Sequence, residues 1–192
     1  MRKEAYASFI NMYEAALENG IKLVIRSAAR NFDYQKGIWE RKWTGETILS
    51  NGINAATDIE DHNQRALEIL KYSSMPGTSR HHWGTDIDFN SFDNSWFDSG
   101  QGLVLFNWLE ENAGKFGYCR PYTKKGPVRP VGYNEEKWHW SYTPIADDYT
   151  KYAQVFLSDD MIKGFKGSET ASSISVVQNY VLGIHPLCKN YN

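Results

Sequence analysis

The chain is poor in several of the features that usually narrow a reading. Only two cysteines occur, Cys119 and Cys188, which allow one disulfide or two free thiols and are too few to fix a redox compartment. No apolar run approaches the ~20 residues that a membrane span needs. The net charge is only -2, so neither nucleic acid nor an anionic membrane surface has an electrostatic claim on the protein. Repeats and low-complexity tracts are missing. The opening stretch is amphipathic and carries Glu4 and Glu14, which is not the composition of a signal peptide. Histidine is scarce as well: there are five, and none belongs to a His-Glu-x-x-His run. A histidine metal site in this chain must therefore be assembled from distant segments.

What is present is the composition of a folded protein, with 41% apolar and 23% charged residues. A length of 192 residues fits one domain with a real core. Ala5, Phe9, Met12, Tyr13, Ala16 and Leu17 form one stripe of a helix over 4–19, with Gly20 where a C-cap glycine belongs. The β-branched run 21–25 reads as a strand, and Asn31 or Asp33 can cap a helix passing through Gln35, Ile38, Trp39 and Lys42. Further helices are expected over 59–72 and 101–112, strands over 85–89, 116–120 and 137–142, and a helical region from Pro144 onward. The loop 121–130, with Lys124, Lys125 and Arg129, reads as solvated, with contact to an anionic substrate tail as the alternative. Few short strands among many helices predict an α+β fold, a small and mainly antiparallel sheet flanked by helices.

Two stretches carry most of the histidine. In 79–88 the adjacent pair His81-His82 precedes Gly84 and a strand in which Asp86 and Asp88 share one face. Aspartate is disfavoured in strands, and a buried carboxylate must be paired or coordinated, so metal ligation would account for the pattern. The second stretch, 136–142, supplies His139 with Glu136 three residues before it. Two imidazoles and one carboxylate leave a coordination position open, the arrangement of a catalytic zinc site. His81, Asp88 and His139 form that set, and Glu136 is left to handle protons. Adjacent residues point apart on an extended chain, so one of His81 and His82 ligates and the other packs. Solvent exposure is the default for His62, and His185 has no evident partner.

These motifs resemble those of zinc D-Ala-D-Ala carboxypeptidases and dipeptidases of the VanY/VanX type. Ser79-x-His81-x-x-Gly84-x-x-x-Asp88 is similar to their Ser-x-His-x-x-Gly-x-x-x-Asp, and Glu136-x-x-His139-Trp140 to their Glu-x-x-His-Trp. Upstream, Ser27-Ala28-Ala29-Arg30 followed by Gln35 resembles their Ser-Gly-Tyr-Arg and Gln. The resemblance runs from about residue 23 to 142, and residues from Thr143 match only loosely. It selects His81 over His82 and implies the fold shared with hedgehog signalling domains and lysostaphin-type enzymes. The expected division is a core of about 21–142 with a C-terminal helical extension, 143–192.

The resemblance further implies Zn2+ as cofactor, peptidoglycan stem peptides or muropeptides as partners, and D-Ala-D-Ala carboxypeptidase activity. It makes Glu136 the general acid/base, Arg30 the stabiliser of the tetrahedral oxyanion, and Ser79 and Gln35 substrate-binding residues. It implies action outside the cytoplasm, periplasmic or at the cell wall, with a leader already removed, and in that setting Cys119 and Cys188 are expected to pair. An L,D-carboxypeptidase or an endopeptidase on the same polymer is the alternative within the enzyme class. A non-catalytic zinc-containing binding module is the alternative outside it. Two departures stand out: Asp86 occupies a position where the family commonly has Ala, and Lys137 one where it has Pro.

Overall fold

The structure is a computed structural model and describes residues 1–189. The last three residues of the expected C-terminal extension lie outside them. The chain begins with helix α1 (Lys3–Glu18), which buries Ala5, Phe9, Met12 and Ala16, the predicted stripe. Strand β1 comes later than expected, at Ile25–Ser27 rather than 21–25. Residues 21–24 form no strand, although Ile21 and Leu23 are buried; the Ile21 N–H donates back to the Ala16 carbonyl, and Lys22 and Val24 bond to Asn90 instead of a ladder. Asn90 takes the Val24 N–H on its side-chain oxygen and gives its backbone N–H to the Val24 carbonyl. Its side-chain amide also donates to the Lys22 carbonyl, so that end of the segment pairs with no strand.

Helix α2 (Phe32–Trp43) starts at Asn31, whose side chain accepts the Tyr34 N–H. The helix expected over 59–72 is shorter, α4 (His62–Ile69), and an unexpected short helix, α3 (Ala55–Asp58), precedes it. Asp61 caps α4 through the Gln64 N–H, and the Arg65 guanidinium folds the preceding segment back by donating to the carbonyls of Ala56 and Ile59. Strand β2 (Asp86–Phe89), helix α5 (Gly100–Asn112), strand β3 (Tyr118–Cys119), strand β4 (His139–Tyr142), helix α6 (Thr143–Phe156) and the short α7 (Ala171–Ile174) follow.

The four strands form one antiparallel sheet in the order β1-β2-β4-β3, as the α+β reading expected. Side chains alternate across a sheet, so each strand serves two environments. Ile87, Phe89 and Trp140 belong to a hydrophobic cluster with α1, α5 and Tyr118. Asp86 and Asp88 alternate with them along β2, and His139 and Ser141 with Trp140 along β4. A second cluster joins Trp39 and Trp43 of α2 to α4 and to residues of the C-terminal segment, including Phe165, Ile174 and Val181.

Cys119 of β3 and Cys188 form a disulfide that ties the C-terminal segment to the sheet edge, the pairing expected for an oxidising setting. The basic loop contains a correction. Arg129 is buried rather than solvated, and its guanidinium donates to the carbonyls of Thr123, Val131 and Tyr133. Five donors in a rigid fork suit an arginine to closing a loop on its own carbonyls. No helix among the described residues is long and apolar enough to cross a membrane.

Candidate active site

The site begins where a tight turn, Arg80–Trp83, runs into β2. Gly84 ends the turn with φ 74°, a left-handed conformation in which an added Cβ would lie 3.3 Å from the backbone nitrogen of Arg2. The loop after β1 closes over this turn. Arg30 N–H donates to the His81 carbonyl, and His81 Nδ1 lies 2.6 Å from the Ala28 carbonyl oxygen. A carbonyl only accepts, so Nδ1 carries the proton and Nε2 keeps its lone pair. Burial pushes the His81 pKa down, which keeps the ring neutral and able to ligate.

His82 takes the other part. Its Nδ1 donates to the Arg30 carbonyl at 2.8 Å and its Nε2 accepts the Gly77 N–H at 3.0 Å. With both nitrogens occupied it fastens two loops together and has nothing to offer a metal. His62 is exposed and pairs with Glu169, and His185 accepts the Leu187 N–H.

The register of β2 on β4 supplies the rest: Asp88 sits directly opposite His139, and Asp86 opposite Ser141. His81 Nε2 is 3.2 Å from Asp88 Oδ2, and His139 Nδ1 is 3.0 Å from Asp88 Oδ1. One ligand atom from each of His81, Asp88 and His139 lies within 4.8 Å of the others. His81 Nε2 and Asp88 Oδ1 are buried without a hydrogen-bond partner. Orphaned buried polar atoms are costly, and two that converge with a third donor make a fitting cradle for a metal cation.

The surrounding charges agree. Burial alone would raise the Asp88 pKa, yet His81 and His139 hold it below the usual carboxylate range. Burial works against a charge on His139 too, but Asp86 and Asp88 push its pKa up to about 10. An imidazole that binds a proton so firmly sits in a field that favours any cation.

Asp86 is fully buried beside His139. Its Oδ2 meets His139 Nε2 at 2.8 Å and Arg80 Nε at 3.2 Å, and its Oδ1 accepts from Ser141 and Thr85. The negative charge of Asp86 is thus largely taken up by Arg80, which also donates to Thr150 and Ser141 and stacks on Trp83. Sequence reasoning overlooked Arg80, although a basic residue inside the metal motif was a signal.

Glu136 lies with its Oε2 3.5 Å from His139 Nδ1. Burial is the main cause that pushes its pKa up to about 8, partly opposed by His139. Arg30 reaches the same place, its Nη2 3.7 Å from Asp88 Oδ2 and its Nε without a partner. Ser79 is buried with a free hydroxyl; Gln35 is buried, donates to the Ser74 carbonyl at 2.8 Å and has an unpartnered Oε1.

All seven residues singled out in the sequence line one cleft of about 810 Å³. Its walls add residues the sequence did not single out: Lys42 two helical turns after Gln35, Tyr122 with its ring 4.6 Å from that of His139, and Trp138.

A family model described as VanY, D-alanyl-D-alanine carboxypeptidase, matches residues 1–145. The chain belongs to this family. A D-alanyl-D-alanine carboxypeptidase of Enterococcus faecalis is 26% identical over 135 residues, which are 70% of this chain and 45% of the relative. The putative carboxypeptidase YodJ of Bacillus subtilis is 29% identical over 165 residues, 84% of this chain and 51% of the relative. The chain therefore spans about half the length of these curated relatives.

Among solved structures, the D,D-pentapeptidase VanY of a VanB-type vancomycin-resistance cassette, in complex with Zn(II), superposes with a TM-score of 0.57. It shares 22% identity, covering 88% of this chain and 83% of that one. The LdcB LD-carboxypeptidase superposes with a TM-score of 0.53 at 22% identity, covering 77% of this chain and 71% of that one. At these identities the likeness establishes the fold.

Proposed function

We propose that this protein is a zinc-dependent peptidase that removes the terminal D-alanine from peptidoglycan stem peptides. The observation that carries the reading is the convergence of His81, Asp88 and His139 on one buried point, with Glu136 beside it, at the wall of an open cleft. Family membership and the zinc complex of a fold neighbour support the choice of metal and substrate.

His81, Asp88 and His139 would hold Zn2+, which when bound would supply Lewis-acid polarisation of the scissile carbonyl and a lowered pKa for water. Glu136 accepts the proton of the attacking water and returns it to the departing amine. Its pKa of about 8 suits a group that exchanges protons near neutrality, and a cation beside it favours the ionised form that accepts one. The Arg30 guanidinium, with its Nε unpartnered, faces the charge that develops on the carbonyl oxygen. Ser79 and Gln35 offer a free hydroxyl and a free amide oxygen to hold the substrate.

The Cys119–Cys188 disulfide supports a site of action outside the cytoplasm. Product analysis on purified muropeptides, with metal content measured on the same sample, tests the reading. Release of D-alanine from pentapeptide stems by zinc-loaded protein is expected. Release only from tetrapeptides would make the enzyme an L,D-carboxypeptidase, a reading that the likeness to LdcB favours as runner-up. Bound zinc with no hydrolysis would make it a binding module.

A further inference from the structure

The cleft holds one cation whose partner is neutral. Arg30 faces Asp88, and Lys71 is paired with Glu68 at 2.6 Å. Lys42, half-buried in the same wall, has only the Ser73 hydroxyl, 2.5 Å from its Nζ. Among the described residues no carboxylate lies within ion-pair distance of it. Burial pushes its pKa down, the Glu136 charge pulls it back up, and Arg30 opposes it, so the ammonium feels the reacting end of the cleft.

The placement follows from helix geometry. Lys42 stands seven residues after Gln35, so both lie on one face of α2, about 10 Å apart along the axis. Long side chains on a helix lean toward its N-terminus, which carries the Lys42 head back toward Gln35. The two side chains converge on consecutive residues, Gln35 on the Ser74 carbonyl and Lys42 on the Ser73 hydroxyl. An ammonium and a hydroxyl held together in a partly desolvated wall form a receptor for a carboxylate.

We propose that Lys42, steadied by Ser73, receives the C-terminal carboxylate of the peptide and restricts the site to substrates that end with the released residue. The inference rests on the peptidase reading above and assigns a specificity residue to it. A carboxamide in that place leaves the ammonium dehydrated and without a counter-charge, whereas a carboxylate satisfies it.

The test compares zinc-loaded wild type with Lys42→Met on paired peptides ending in D-Ala-D-Ala acid or amide. Wild type is expected to favour the acid by about 30-fold or more in kcat/KM. Lys42→Met should raise KM for the acid, leave the amide nearly unchanged and so collapse the ratio. Lys42→Arg, which keeps the charge, should retain the preference and shows that the effect is not one of folding. An equal loss on both peptides, or none, overturns the proposal. So does a preference that follows amidation of a stem-peptide side-chain carboxylate rather than the terminus. If wild type cleaves neither peptide, the peptidase reading fails, and calorimetric binding of acetyl-D-Ala-D-Ala then decides on Lys42. Weaker binding to Lys42→Met by about tenfold supports it, and equal affinity overturns it.

Discussion

Asp86 Oδ2 lies 2.8 Å from His139 Nε2, and the guanidinium of Arg80 closes the other side of the same oxygen at 3.2 Å. The carboxylate fixes which imidazole nitrogen carries the proton and leaves Nδ1 for Asp88 and the metal position. Because Asp86 touches both His139 and Arg80, its removal is informative. Asp86→Asn should lower zinc affinity by about 10- to 100-fold while leaving the three ligands in place. It also strips Arg80 of its counter-charge, so thermal stability should fall as well. Competitive chelator titration and melting curves read the two effects separately. Unchanged affinity would mean that the pair serves the core and not the metal.

Ligand removal gives a sharper outcome. His81→Ala or His139→Ala should reduce bound zinc from about one per chain toward none. Metal analysis after dialysis checks this, and full occupancy in the double variant would sink the ligand assignment.

Glu136→Gln separates proton transfer from ligation. The amide keeps the shape of the carboxyl but accepts no proton near neutral pH, so hydrolysis should fall by roughly 10²- to 10⁴-fold. Zinc content should remain at the wild-type level. An emptied site would make Glu136 a ligand, and wild-type turnover would move the base elsewhere.

The disulfide joins residues 69 apart in sequence. Closing a loop of that length restricts the unfolded chain by about 4 kcal/mol in the chain-entropy model. Replacing both Cys119 and Cys188 with alanine should lower the denaturation midpoint in urea with little change in the zinc content of the folded protein. Equal midpoints would show that the C-terminal segment is held by packing alone.

The sequence by itself determined the candidate ligand types and their spacing. Asp86 and Asp88 had to share a face because strand side chains alternate. It also determined the α1 stripe, because local periodicity decides it, and narrowed the α2 cap to Asn31 or Asp33, of which the structure uses Asn31. Only the tertiary structure decided what depends on distant partners. The β2–β4 register put Asp88 opposite His139. The Ala28 and Arg30 carbonyls gave His81 a free Nε2 and used up His82. Arg80 absorbed the charge of Asp86, Asn90 delayed β1, and Lys42 was left in the cleft without a carboxylate. Each is a pairing between residues far apart in the chain, and neither propensity nor spacing records which partner a charge or a ring nitrogen will meet once the core has closed.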